Sequence, residues 1–398
     1  MYPPPEGPLE SPEQIRDLDD TFLTSDPFGY FVSRIGMLHA WAGTGAGDTL
    51  IEGAPETDLL GDADGADEDG VTAEIGRPDL FPVIGAVMRD EHRSARPTDM
   101  ITSAQVAVDA FALRHHVAEA VLRLFVTATE RSRGSGAPTA SLWSRMTDDR
   151  NIRVHELLGA VSQAASDLGE FGFGRLVLPP SATAESEADR AHLVHFVRLC
   201  AAWLERAAVL LAPGDLDLNT AHNKVKHGLA VRGRADLRVE FSSVGPDADG
   251  NIPLSAFGPD VSFNIFERPV LEFMSRPRVP GRGPQGLEVT QLQLDYRHLL
   301  AESAMMAFVH GALFHVAACR HFEGRSVPRG LSVAAHPGLA DQDALGPDQG
   351  GHQVGLRFPI TDPPGGGEPR PAGFWHRDGT SISLTYTRER IKARVVDG

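Results

Sequence analysis

The chain of 398 residues has a net charge of −17 and 41% apolar residues, values typical of a globular protein that buries a substantial core. The acidic balance excludes broad, nonspecific nucleic-acid binding, which needs many cationic contacts with phosphates. No apolar run approaches the ~20 residues that span a bilayer, and the N-terminus carries no export signal, which together predict a cytoplasmic protein without a membrane contact.

The first quarter of the chain alternates proline-rich or acidic segments with helical patterns. Residues 1–27 are rich in proline and acidic side chains and predict a flexible arm, whereas residues 28–41 carry an apolar helical face. Residues 48–76 hold ten acidic side chains and no basic one. They miss the Asp-x-Asp-x-Asp-Gly register of a calcium loop, which favours a solvated, mobile acidic loop. A short helix is predicted at 81–93.

The middle of the chain is predominantly helical by its pattern. Residues 102–131 have no proline or glycine and carry a continuous apolar stripe, so they predict a long helix. A linker at 132–138 and a helix at 152–168 follow. The next helix is predicted at 187–211, and a short helix after it closes at Gly228.

The pattern changes beyond residue 235, where the predicted helical bundle of residues 28–235 ends. Short alternating or β-branched runs predict the strands of a small antiparallel sheet at 236–242, 261–266, 270–273 and 287–294. A final helix is predicted at 296–322. Residues 323–398 are dense in glycine and proline and predict an irregular tail with possible strands at 355–360 and 381–386. The predicted fold is therefore mainly α, a helical bundle with an appended antiparallel β segment over 236–322 and an irregular C-terminal tail.

Residues 219–229 form the most distinctive segment of the sequence. The chain has three lysines against 34 arginines, and two of the three, Lys224 and Lys226, lie here. Helical spacing places five polar side chains on one stripe, which we expect to be exposed or to line a cleft: Asn219, His222, Asn223, Lys226 and His227. The opposite side would face a core with Leu218, Ala221, Val225 and Leu229.

The pattern Asn223-x-x-x-His227 follows a long helix and a loop that contains Pro213. This arrangement resembles the signature of HEPN domains, the helical superfamily named for nucleotide binding in higher eukaryotes and prokaryotes. The resemblance covers a bundle of about residues 100–230. Members commonly carry an arginine directly before the asparagine, and in this chain His222 stands at that position.

The resemblance implies RNA or nucleotide phosphate as ligand, homodimerisation, a defence or toxin role, and no metal or cofactor. Ribonucleases of the superfamily direct the 2′-hydroxyl onto the adjacent phosphate. His227 is then the candidate for proton transfer, Lys226 and His222 are candidates for stabilising phosphate charge, and Asn223 completes the motif. The alternative is a noncatalytic helical scaffold that holds a partner protein, with this polar face hydrogen-bonded to loop carbonyls.

A second segment matches the superfamily pattern with its arginine included. Arg150 and Asn151 precede His155 at the required spacing, and they open the helix predicted at 152–168. The long helix and loop that should stand directly before the motif are missing, so these residues rank second as catalytic candidates.

The helix predicted at 102–131 carries a charged face beside its apolar stripe. His115, Glu119 and Arg123 lie on that face, and Glu119 and Arg123 have the spacing of a favourable ion pair. The face is either a solvated or interhelical salt-bridge surface or an orienting surface that packs against the 219–227 helix and positions His227 or His222. No metal site is predicted, because the other histidines match no ligand spacing.

Overall fold

The computed structural model describes the chain in separate ranges, which are residues 10–25, 27–44, 97–133, 138–147, 172–180, 182, 185–228, 231–237, 239–242, 244, 247–248, 253–257, 261–266, 268–279, 283–325, 353–376 and 379–384. Several predicted features lie outside these ranges: the acidic loop at 48–76, the helices at 81–93 and 152–168, Leu229, and the second-ranked motif of Arg150, Asn151 and His155.

Within these ranges the chain forms eight helices, numbered in chain order as α1 Pro12–Leu23, α2 Pro27–Thr44, α3 Pro97–Arg133, α4 Leu142–Met146, α5 Gly174–Val177, α6 Glu187–Leu211, α7 Leu218–Lys226 and α8 Tyr296–His321. A single 3-10 turn spans Leu254–Phe257. The mainly helical prediction is confirmed, and so are the helices predicted at 28–41, 102–131, 187–211 and 296–322.

Helix α8 is the centre of the bundle. It packs along α3 and also contacts α1, α2, α5 and α6. Among the described helices it alone is long and apolar enough to cross a membrane, but 89% of its most apolar window is buried inside the protein. Asp295 caps its N-terminus, because its Oδ1 accepts hydrogen bonds from the backbone of Arg297 and His298 at 3.2 and 3.4 Å.

The expectation of a flexible arm at residues 1–27 is wrong for residues 12–23, which form α1. Ser11 and Gln14 make a reciprocal capping box, with each side chain accepting a hydrogen bond from the other residue's backbone N–H. Ile15 and Leu23 are buried in the bundle. The acidic composition of this segment obscured two apolar residues spaced by eight, which lie on one helical face.

The main sheet has six strands, all antiparallel, in the order β1-β4-β7-β8-β9-β10. These strands are β1 Val231–Arg234, β4 Val270–Ser275, β7 Glu288–Gln293, β8 Gly355–Pro359, β9 Ala372–Trp375 and β10 Ser381–Leu384. Two further pairs are small: β2 Glu240–Ser242 with β3 Ser262–Asn264, and β5 Arg278–Val279 with β6 Gly283–Pro284.

The sheet buries side chains on both faces. Leu271 and Phe273 of β4 and Leu292 of β7 join the core of the helical bundle. On the opposite face Val270 belongs to a second, smaller core, where the ring of Phe374 also packs. Successive side chains of a β-strand point to opposite faces of the sheet. Because both faces of this sheet are covered, neighbouring residues such as Val270 and Leu271 belong to different cores.

The expectation of an irregular C-terminal tail is wrong for residues 355–359, 372–375 and 381–384, which form strands. The strands expected near 355–360 and 381–386 are present, and with β9 they extend the main sheet beyond β7. The boundary placed at residue 323 therefore cuts through one sheet. Strand β1 was also missed, because its glycine weakens the strand pattern. In the fold Gly233 allows close packing on α3, where a Cβ would lie 3.1 Å from Val108.

Candidate functional site

Helix α7 carries most of the distinctive polar segment and lies against α3. Its apolar side is formed by the fully buried Ala221 and the half-buried Leu218 and Val225, which pack on the bundle core. Its other side exposes Asn219, Asn223, Lys226 and, directly after the helix, His227. Gly228 follows in the left-handed conformation and ends the helix. The predicted amphipathic helix is therefore present, with four of its five polar residues exposed.

His222 does not lie on the exposed stripe. It is only 7% exposed, and its ring stacks on that of His115 in α3, with centroids 5.1 Å apart and an interplanar angle of 16°. On the surface of α7, His222 lies adjacent to Leu218 and Val225, at spacings of four and three residues. This edge of the polar stripe therefore faces α3, which covers it. The structure thereby joins α3 and α7 through two histidines.

Three consecutive residues of α3 reach three different neighbours. Arg114 points into the core and donates from Nη1 to Glu302 of α8 at 2.8 Å, while Arg206 of α6 donates to the same carboxylate at 2.7 Å. His115 meets α7, and His116 meets α2. Because successive side chains on a helix are turned by about 100°, one short segment holds three helices around α3.

His115 is a neutral imidazole in this packing. Its Nδ1 lies 3.0 Å from the carbonyl oxygen of Phe111, and because a carbonyl only accepts, Nδ1 carries the proton. The remaining nitrogen, Nε2, is buried and makes no hydrogen bond within the described part of the chain. Burial, followed by the charge of Arg114 and by His222, holds the pKa of His115 well below its ordinary range.

His222 is also neutral near physiological pH. Burial lowers its pKa to about 4, with Glu119 opposing the shift and Lys226 adding to it. A neutral, stacked imidazole cannot supply the positive charge that the family's arginine brings to a phosphate. Lys226 is therefore the cationic side chain of the predicted set that stands exposed on α7.

Glu119 and Arg123 form the ion pair that their spacing predicts. Arg123 donates to Glu119 Oε1 from Nη2 at 2.8 Å and from Nε at 3.0 Å, and it reaches the carbonyl of Met146 at 3.3 Å. The Glu119 carboxylate also raises the pKa of His222 and of His116, which opposes the effect of burial. The charged face of α3 therefore lies close to α7, and the Glu119 carboxylate influences the pKa of the buried His222.

His116 stands at a junction that the sequence interpretation missed. Its ring makes near-perpendicular contacts with Tyr30 and Phe31 of α2, with centroids 6.1 and 5.7 Å away. Partial burial and then the charge of Arg34 lower the pKa of His116; Glu119 raises it, and Lys226 lowers it. Arg34 on α2 and Lys226 on α7 thus both lower the pKa of the His116 imidazole, although they belong to different helices. The i, i+4 spacing of Tyr30 and Arg34 predicts their contact on α2, but no sequence pattern indicates the contact with His116.

The loop before α7 is held by the C-terminal part of the chain. Asp217, at the start of α7, has φ 49° and ψ 47°, and it is the one non-glycine residue with positive φ among those described. Its side chain does not cap the helix. Instead its Oδ2 accepts a hydrogen bond from Arg370 Nη2 at 3.0 Å, and Arg370 also pairs with the buried Glu288 at 2.6 Å. This ion-pair network maintains a backbone conformation that non-glycine residues adopt at a cost.

A second set of contacts supports the same loop. Arg357 of β8 donates to the carbonyl of Asp215 at 2.6 Å and lies 4.6 Å from the ring centroid of Trp375. Leu216 packs on Gly355, where a Cβ would lie 2.9 Å from a leucine methyl. The sheet therefore sets where α7 begins, and these residues were invisible to local sequence patterns.

The predicted site residues separate into four groups, one of which is the Glu119–Arg123 ion pair on α3. Asn223, Lys226 and His227 come together on the exposed side of α7, whereas His222 and His115 form the buried stack beneath it. Arg150, Asn151 and His155 lie outside the described residues.

In the part of the chain that the structure describes, no three His, Cys, Asp or Glu side chains are grouped to hold a metal ion. Comparison with protein-family models, with curated proteins and with solved structures gives no match for this chain. The resemblance to HEPN domains stays a prediction.

Proposed function

We propose that this protein is a cytoplasmic HEPN-like protein that binds RNA or nucleotide phosphate on the exposed side of α7. The observation that carries the proposal is the joint exposure of Asn223, Lys226 and His227 on a helix whose other side is fixed to α3. A cation, an amide and an imidazole on one rigid element supply the donors that phosphate and ribose oxygens accept.

The small number of cationic groups at this site is consistent with the strongly negative net charge of the chain. Lys226 gives a point charge for one phosphate, and Arg34 and the His116 imidazole extend the polar surface towards α2. A chain with a net charge of −17 repels a long polyanion, so its contact with RNA is confined to a few nucleotides.

Binding is favoured over cleavage in this proposal. His227 is exposed and suited to proton transfer, but the position of the family's arginine holds the neutral, buried His222. Homodimerisation, which the resemblance implies, would bring a second copy of His227 and Lys226 to the ligand. A defence or toxin role is the expectation that accompanies RNA cleavage in the superfamily.

The test measures binding of a fluorescently labelled, unstructured 12-nucleotide RNA to the full chain over a range of salt concentrations. Lys226→Ala should weaken binding and reduce the salt slope by about one phosphate contact. Lys224→Ala is the matched control, because Lys224 lies on the same helix but projects about 160° away from Lys226. Absence of binding by the native chain overturns the proposal and favours the noncatalytic scaffold. Equal effects of the two lysine variants would place the ligand elsewhere.

A further inference from the structure

The side chain of Tyr30 is an exposed aromatic ring that contacts His116, the imidazole on which the charge of Lys226 also acts. The residue is 48% exposed on the outer side of α2. Its ring is fixed by near-perpendicular contacts with Phe31, at a centroid distance of 5.4 Å, and with His116, at 6.1 Å. An exposed ring that its neighbours hold in one orientation loses little conformational freedom when a flat ligand stacks on it.

Two cationic side chains from two helices act on this ring or on its neighbour His116. Arg34 donates from Nη1 to the hydroxyl of Tyr30 at 3.1 Å, and its guanidinium carbon lies 5.8 Å from the ring centroid. Lys226 of α7 acts on the neighbouring His116, because its charge lowers the pKa of that imidazole. The nearby carboxylate of Glu119 is engaged by Arg123 at 2.8 Å. An aromatic ring with cationic side chains nearby suits a ligand whose flat group stacks on the ring and whose phosphates contact the cations.

We infer that Tyr30 is a stacking platform for an unpaired nucleobase, whose neighbouring phosphates contact Arg34 and Lys226. The inference rests on the proposed binding of RNA at α7 and names the form of nucleic acid that the surface takes. Bases within a duplex cover one another's faces, so only a single strand offers a base to this ring. Every base has such a face, and the site therefore has little preference among sequences.

The magnitudes also favour stacking as the main source of affinity. Two phosphate contacts on a single strand give a salt slope of only about −1.4, since each contributes ~0.7. An acidic chain cannot recover affinity by adding further phosphate contacts across its surface. One stacked base contributes roughly tenfold to a hundredfold in affinity, which exceeds what a screened surface lysine supplies.

The experiment compares three probes on the full chain: an eight-nucleotide oligoadenylate, an abasic backbone of the same length, and the oligoadenylate paired with its complement. We expect the native chain to bind the single strand tightest. Tyr30→Ala should weaken oligoadenylate binding by about tenfold to a hundredfold and leave abasic binding unchanged. Tyr30→Phe, which keeps the ring and removes the hydroxyl that Arg34 contacts, should retain native binding of oligoadenylate. Lys226→Ala should weaken both single-stranded probes alike.

The outcomes separate this inference from the function on which it rests. If Lys226→Ala weakens binding but Tyr30→Ala does not, phosphate binding at α7 stands and the stacking platform is overturned. The same holds if the native chain binds the abasic and base-carrying strands equally. If Tyr30→Phe loses as much as Tyr30→Ala, the hydroxyl bond to Arg34 is responsible and the inference fails. If the native chain binds none of the probes, the proposed function and the inference both fall. Circular dichroism and melting of each variant establish that the exposed substitutions leave the fold intact.

Discussion

His115 of α3 and His222 of α7 stack with their centroids 5.1 Å apart, and both rings are buried. The contact joins the helix that carries the exposed polar residues to the longest helix of the bundle. It also commits both imidazoles to the neutral form, since burial lowers both pKa values and the neighbouring cations lower them further. His222, which stands where the superfamily carries its arginine, therefore contributes to the packing of α7 on the bundle.

The first prediction concerns stability and pH. His222 has an ordinary pKa of 6.5 in the unfolded chain and about 4 in the fold. Between these values the unfolded chain binds more protons, so the free energy of unfolding falls as the pH falls through this window. Lowering the pH from 7 to 5 should cost about 2 kcal/mol at this residue. His222→Gln should remove that part of the pH dependence in urea unfolding. An unchanged slope would show that the ring titrates in the fold as it does in the unfolded chain.

The second prediction concerns His227. If the chain cleaves RNA, His227→Ala should lower the rate by about 10²- to 10⁴-fold, because proton transfer to and from the reacting oxygens is lost. Binding should weaken far less than the rate, because His227 is one of several donors at the site. Products should end in a 2′,3′-cyclic phosphate, and EDTA should have no effect. His195→Ala on the exposed side of α6 is the matched control. Cleavage that survives His227→Ala and stops on chelation would instead indicate a metal site.

The third prediction concerns the buried carboxylate of Glu302, which is 2% exposed and bound by Arg114 and Arg206. Burial alone would raise its pKa, but Arg206, His298 and Arg114 hold that pKa well below its ordinary range. Glu302→Gln should destabilise the fold by about 3–5 kcal/mol, since two guanidinium groups lose their counter-charge.

The control for Glu302 is Glu119→Gln, which breaks a half-exposed ion pair with Arg123. Such pairs contribute about 0–1 kcal/mol, so the change in the urea midpoint should be small. Comparable losses in the two variants would mean that the buried cluster contributes no more than a surface pair.

The fourth prediction concerns Arg370, which links Glu288 of β7 to Asp217 at the start of α7. Among the described residues, Arg370→Ala leaves the buried Glu288 with the 3.8 Å contact to Arg357 as its remaining ion pair, and it should cost about 3 kcal/mol. It should also weaken RNA binding at α7, because Asp217 loses the partner that supports its left-handed backbone. Arg234→Ala removes an exposed pair with Asp236 and should change neither property. Loss of stability without loss of RNA binding would show that α7 keeps its position without this link.

Much of the architecture could be predicted from local pattern, and the reasons are visible in single residues. Helix α6 begins and ends where the sequence predicts, because Ser186 and Asp189 form a capping box and Pro213 stops its continuation. On α7 the period of 3.6 residues gave the polar stripe, but it could not show that α3 covers the edge where His222 lies. Periodicity gives angular positions on a helix, and only packing decides which of them are buried.

The contacts that sequence reasoning missed are long-range. The pairing of Asp217 with Arg370 joins residues 153 positions apart, and Arg370 lies in a segment whose glycines and prolines indicate irregular structure. The junction of Tyr30 and His116 depends on how α2 packs on α3, which no single helical pattern contains. Local propensity specifies elements, whereas such pairs depend on the assembled fold.

The separation of Asp217 and Arg370 has a consequence during protein synthesis. On a ribosome that adds ~5–20 residues per second, roughly 8–30 seconds pass between the making of the loop before α7 and the making of the arginine that holds it. Throughout that interval the nascent chain has the candidate RNA-contacting helix without its support from the sheet. A growing chain next to ribosomal and messenger RNA would thus acquire a fully positioned α7 only when its last strands have been added.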